Sequence, residues 1–183
     1  SCHAFVLKVG TVTKMPAADN ILFLGESIGF WVQTGAVILS TIAAILVIGH
    51  NGKMARRRAT IDLIIEMEKD EEYKEKYKTV SQLIKKDQSL VNFAEKLDVD
   101  CQELDDIRFV INRLEFIAQG IRCKAFEEGI YKDLHYNNYL KLWGAVEPLV
   151  AEIRRRNGNT RTYFQEMEWL AHRWHKKEIK KLK

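Results

Sequence analysis

Residues 28–49 read IGFWVQTGAVILSTIAAILVIG, and no charged side chain interrupts them. An α-helix rises about 1.5 Å per residue, so the stretch reaches roughly 33 Å, enough for a bilayer core of about 30 Å. Its polar side chains, Gln33, Thr34, Ser40 and Thr41, are neutral. Ser and Thr hydroxyls can bond back to carbonyls of their own helix, and Gln33 lies near one end. A core helix of this length in a soluble domain normally carries charge on one face. The expectation is a transmembrane helix over 28–49.

Lys53, Arg56, Arg57 and Arg58 follow the stretch, whereas the preceding flank carries Asp19 and Glu26. A cleaved signal peptide would show a basic region before a shorter apolar core, so an uncleaved anchor is the expectation. Retention of positive charge in the cytoplasm then orients the N-terminus outside and the C-terminus inside. Phe30 and Trp31 fall at the outer edge, where amphipathic rings favour the headgroup boundary. Ala36, Ser40 and Ala44 repeat every fourth residue and so share a helix face. Small residues let membrane helices approach closely, which makes this face a candidate seam for a homo-oligomer.

With 183 residues, two prolines, ten glycines and 30% charged side chains, the chain suits one span and one helical domain. The expected class is all-α: an N-terminal transmembrane helix followed by a cytoplasmic helical bundle. Residues 1–27 form an extracytoplasmic segment, 28–49 the span, 50–78 a basic flank and helix, and 79–183 the bundle. Met15 opens MPAADN and reads as a translation start, with residues 1–14 as an extension ahead of it and Ala4–Val9 a short strand. A net charge of +4 gives no ground for nucleic-acid binding, and none is expected. Cys2, Cys101 and Cys123 show no CxxC spacing, and Cys101 and Cys123 are expected as free thiols.

Beyond the arginines no proline or glycine interrupts the sequence to Lys78, so a helix is expected throughout, its Glu68–Lys78 portion solvated. Short helices at Val80–Lys86 and Leu90–Leu97 follow. Asp100 with Glu103 suggests a capping box for a helix over 101–126. There Leu104, Ile107, Ile111, Leu114, Ala118, Ile121 and Ala125 step by three and four, the stripe of a bundle helix. Gly129 is the expected stop. In a helix over 132–156 Pro148 should cause a kink or split near Gly144–Val146, Asn157-Gly158-Asn159 should turn, and Thr160 or Thr162 should cap the last helix.

Three features are candidates for chemistry or contact. The polar row Arg108, Asn112, Glu115 and Gln119, flanked by Asp105 and Arg122, offers a carboxylate between cations and amides. It could hold a ligand or supply a base, which would make the protein an enzyme or a small-ligand sensor. The simpler reading is a structural network, and it is preferred. Glu168, His172 and His175 share a helix face, but a metal site needs ligands from a second element, so no metal and no cofactor are expected. The tail, with Trp169, Trp174, Lys176 and Lys177, reads two ways with equal weight: a basic, aromatic helix that touches anionic lipid, or a solvated bundle helix whose tryptophans are core and whose basic end frays. The sequence contains no G-x-x-x-x-G-K-[ST], H-E-x-x-H or G-x-S-x-G, so nothing supports an enzyme.

RRRATIDLIIEME after the span and NRLEFIAQGI in the central helix carry a resemblance. The order of features is similar to an uncharacterised family of bacterial and prophage-encoded single-span proteins with a helical domain, grouped as a domain of unknown function. It covers about Phe30 to Trp174, most strongly Ala59–Leu63 and Asn112–Ile121, with Glu115 and Gly120. The resemblance implies a bacterial inner membrane, an outside N-terminus and a cytoplasmic C-terminus, with no known activity. On that setting a phage exclusion or defence factor is a further alternative. The expected function is a membrane-anchored, self-associating interaction or scaffold module with the bilayer and an unidentified protein as partners.

Overall fold

The structure is a computed structural model that describes residues 22–23, 26–87, 89–97 and 99–179. The expectations for residues 1–14, including the strand over Ala4–Val9 and the thiol of Cys2, lie outside the described residues. The fold is all-α, a long apolar N-terminal helix followed by a helical bundle. Strands β1 (Leu22–Phe23) and β2 (Glu26–Ser27) pair antiparallel ahead of α1 (Ile28–Lys69). Then come α2 (Glu71–Asp87), a 3₁₀ helix (Val91–Lys96), α3 (Gln102–Arg122), α4 (Glu128–Arg156) and α5 (Gln165–Lys176). The chain divides into two compact units, residues 1–49 and 50–183.

In the first unit, the apolar part of α1 has a mean hydropathy of 2.1 and none of it is buried. By length and composition this helix can cross a membrane. Ser40 Oγ donates to the Ala36 carbonyl at 2.8 Å and Thr41 Oγ1 to that of Val37 at 2.9 Å. Both hydroxyls are thus satisfied within the helix, as expected.

In the second unit α3 is the central element. Leu104, Ile107, Ile111, Leu114, Ala118 and Ile121 are all buried, along with Val110 and Ile117. Each such aliphatic side chain contributes about 1.5–3 kcal/mol when removed from water. Leu63 and Met67 of α1, Tyr73, Val80 and Ile84 of α2, Trp143 and Leu149 of α4, and Met167 and Leu170 of α5 complete the core.

The boundaries differ from expectation where a polar side chain or an unusual backbone residue ends a helix. The helix expected through Lys78 breaks at Asp70, whose Oδ1 accepts the Tyr73 N–H at 2.9 Å and caps α2. Its other oxygen meets Arg113 Nη2 at 2.8 Å, which ties the break to α3. Glu68, Glu71, Glu72 and Glu75 are exposed and Glu72 pairs with Lys76 at 3.0 Å, as expected of a solvated surface, while Tyr73 on the other side of the helix is buried. Asp100 forms no capping box: Cys101 is the N-cap, extended, with no side-chain cap bond.

Helix α3 stops at Arg122, short of Phe126, because Lys124 turns left-handed at φ 59°. The Ala125 N–H then bonds the Gly120 carbonyl and the Lys124 N–H that of Ile121, so a Schellman stop forms without a glycine. Gly129, the expected stop, lies in the first turn of α4. Pro148 does not split α4, and the buried Leu90 donates its N–H to the Ala145 carbonyl nearby at 3.0 Å. Gly158, with φ 71°, ends α4 in the expected turn. Neither Thr160 nor Thr162 caps α5; Phe164, left-handed at φ 53°, occupies the N-cap.

Trp174 decides between the two readings of the tail. Its side chain is fully buried, its ring within 6.3 Å of those of Tyr131, Tyr136 and Tyr139, so it cannot lie on a lipid surface. Trp169 is half-buried, and Lys176 and Lys177 remain exposed. Trp174→Ala should cost about 3–5 kcal/mol in equilibrium unfolding. A loss below about 0.5 kcal/mol, typical of a surface position, would contradict this packing.

Candidate functional site

The polar row does not converge on a common ligand. Arg108 bonds Asp105 at 3.3 Å and the Leu97 carbonyl at 3.2 Å, while Asn112 and Gln119 are exposed. Glu115 faces the start of α5, where its two carboxylate oxygens accept the N–H groups of Glu166 and Met167 at 3.1 and 2.6 Å. These are donors of the first helical turn, which lack partners within the helix. Phe164 has no side-chain acceptor to offer them, so a carboxylate from α3 caps α5 in its place. Burial pushes the Glu115 carboxyl up, against the lowering effect of the two N–H bonds. Arg122 pairs with Glu166 at 2.8 Å. Of the row only Glu115, with the flanking Arg122, joins α3 to α5, and it does so by capping the helix rather than by neutralising Arg108 or Arg122.

A second seam joins α4 to α5. Glu128 accepts from Arg173 Nε at 2.8 Å and from the indole N–H of Trp174 at 3.2 Å. Burial works to raise this carboxyl, but the Arg173 bond and charge, with the Trp174 bond, outweigh it and hold the group low. Glu168 is paired with Arg154 at 2.8 Å, and His172 and His175 are exposed. Among the described residues no cluster of metal-ligating side chains forms.

Two further features were missed in the sequence. The first is a cavity of about 230 Å³ between α1, α2 and α4. Tyr73, Tyr77, Tyr131, His135 and Tyr139 form much of its wall, with Met67, Leu114 and Leu142. Burial raises the four phenols and lowers His135, which favours the neutral form of each. The signal was present in α2: Tyr73, Tyr77, Val80 and Ile84 step by four, three and four.

The second feature is an open groove between Met54, Arg57, Arg58 and Ile61 of α1 and Gly129, Ile130 and Asp133 of α4. Met54, Ile61 and Ile65 are exposed at 50%, 47% and 45%, although they are large and apolar. On the other side of the helix, Thr60, Leu63 and Met67 are buried. The second-unit part of α1 is thus apolar on two faces, of which the bundle covers one.

Glu115→Ala should destabilise the protein by about 1–3 kcal/mol, because two backbone donors lose their acceptor; a neutral effect in equilibrium unfolding would contradict the cap. Glu128 supplies a pH test. A carboxyl held low in the folded chain releases its proton more readily there than in the unfolded chain. Its contribution is present above the ordinary carboxylate value and is lost as pH falls through the lowered one. Glu128→Gln should therefore flatten part of the decline in stability on acidification, and an unchanged slope would contradict the clasp.

No curated protein and no solved structure matches the chain. Residues 34–174 match a family described as a domain of unknown function, DUF4760, close to the extent of the resemblance seen in the sequence. The matched segment holds Thr60, Glu115 and Gly120, the positions that carried that resemblance and that now have structural work. Thr60 is buried, Glu115 caps α5, and a Cβ on Gly120 would meet the Phe126 ring at 2.3 Å. With the match running from the apolar segment to the buried Trp174 of α5, the chain belongs to the DUF4760 family.

Proposed function

We propose that this protein is a single-span membrane anchor carrying a cytoplasmic helical interaction module, and that it self-associates through the outward face of α1. The observation that carries this reading is the exposed apolar set Met54, Ile61 and Ile65, on the side of α1 that the bundle leaves open. Along the sequence Ala44, Val47, Asn51, Met54, Arg58, Ile61 and Ile65 step by three and four, the spacing of a two-helix seam. Ala36 and Ser40 extend the series toward the N-terminus at four-residue steps, with side chains small enough for close approach.

Anchoring is supported by the charge-free segment Ile28–Gly49, whose apolar window holds no buried residue. Lys53 and the three arginines that follow support a cytoplasmic bundle in an inner membrane. Arg56 lies 3.9 Å from Glu127, while Arg57 and Arg58 are exposed beside the groove. A module of this kind brings a second protein to the bilayer; the seams between α3, α4 and α5 hold its shape.

Single cysteines test the seam, in a background with Cys2, Cys101 and Cys123 replaced by Ser. In native membranes, Ile61→Cys and Ile65→Cys should form disulfide-linked dimers, whereas Lys85→Cys on α2 should not. Equal cross-linking at all three positions, or none at the first two, would contradict the seam. Changing Met54, Ile61 and Ile65 together to Glu should weaken association more than tenfold, since each apolar burial is worth about 1.5–3 kcal/mol. A reporter fused after Lys183 should be active only in its cytoplasmic form; periplasmic activity would overturn the orientation.

A further inference from the structure

The groove between α1 and α4 carries charges that the chain leaves unpaired. Arg57, Arg58 and Asp62 of α1 and Asp133 of α4 line it, and all four are exposed. None of them forms an ion pair among the described residues, whereas Arg56, one position earlier, meets Glu127. Within α1, Arg58 precedes Asp62 by one turn, the weaker order for an ion pair, because the helix dipole favours the acid first.

With the self-association proposed above as premise, a heptad count gives these charges their places. In the letters abcdefg the seam series alternates a (Ala44, Asn51, Arg58, Ile65) and d (Val47, Met54, Ile61). Arg57 then falls at g and Asp62 at the next e. In a parallel two-stranded coil a g side chain reaches across to the following e of the other helix, and opposite charges there set partner and orientation. The neighbouring heptads hold no such pair, since His50 would meet Ala55 and Ile64 would meet Lys69.

The fit is to a second copy of this chain. Spans inserted in one orientation run parallel, as the pairing requires. A two-fold interface must complement itself, and Arg57 with Asp62 gives each copy one charge of each sign, so two copies make two pairs with no surplus. Polar residues at a fix the register. A slip of one heptad would set Asn51 against Arg58 and carry Arg57 away from Asp62. Arg58 shares the groove with Asp133, so its charge has a counter-charge beside the seam. We propose that α1 of two copies forms a parallel, in-register two-stranded coil from Asn51 to Ile65, with Arg57 of each copy paired with Asp62 of the other.

The full chain in isolated membranes tests the pairing. Ile61→Cys in the cysteine-free background reports it through disulfide formation under mild oxidant, with tags of two sizes on co-expressed chains. Arg57→Asp leaves acids at both positions, and Asp62→Arg leaves arginines at both; Lys53, Arg56 and Arg58 keep the orientation signal in each. Either variant alone should cross-link at least about fivefold less than the unmodified chain, because two attractive contacts become two repulsive ones. Expressed together, the variants place opposite charges across the seam, so the mixed dimer should return to within about twofold of the unmodified level. Both changes in one chain should restore cross-linking as well, which a fold lost through either change could not give. Variants that cross-link alone as well as the unmodified chain, or a mixed dimer no stronger than the two like dimers, would overturn the pairing and leave the self-association standing. No cross-linking at Ile61→Cys in the otherwise unmodified chain would overturn both.

Discussion

The second unit depends on one buried hydroxyl. Thr60 is fully enclosed, donates to the Arg56 carbonyl at 2.8 Å and accepts the N–H of Glu127 at 2.7 Å. Glu127 is the N-cap of α4, and its own side chain forms no cap bond. The bond therefore joins α1 to the point where α4 begins, and it leaves neither polar group unpaired in the core. An unpaired buried donor would cost about 1–3 kcal/mol, a large part of the marginal stability of a small domain. The remaining interfaces build on that junction: Leu63 and Met67 follow Thr60 into the core, and the cavity opens beside Ile64 and Met67.

Side chains that resemble a reactive site serve the helix ends. Helix α5 has twelve residues, a length at which an isolated helix is marginal in water. Glu115 caps it from α3, Arg122 reaches Glu166 in its first turn, and Glu128 holds Arg173 and Trp174 in its last. These contacts seat Met167, Leu170 and Trp174 in the core. Asp70 plays the same part between α1 and α2, with one oxygen on the Tyr73 N–H and the other on Arg113. The carboxylates of Glu115, Glu128 and Asp70 thus each bind at a helix end.

The sequence made some of this legible and hid the rest for physical reasons. The apolar stripe of α3 and the Asn157-Gly158-Asn159 turn are local signals, and they read correctly. The break at Asp70 carries no glycine or proline, so only an Asp ahead of two acids marked it. The stop after α3 uses a left-handed Lys124, which composition does not flag. Pro148 sits inside an unbroken helix because tertiary packing, with Leu90 bonded to the Ala145 carbonyl, overrides a local preference. Trp174 reads evenly between lipid and core, because the three tyrosines around it come from α4, far away in sequence. The cap that Glu115 provides links residues 51 and 52 positions apart, and no window of sequence displays such a pair.

The account rests on the claim that the part of α1 beyond the apolar segment is a structural wall of the bundle, fastened through Thr60. Amide hydrogen exchange of the full chain in nanodiscs tests this most directly at Glu127, whose N–H that hydroxyl accepts. The account predicts exchange as slow as that of the buried centre of α3, and marked acceleration in Thr60→Val. Exchange at Glu127 as fast as at a freely exposed amide, unchanged by the substitution, would contradict it.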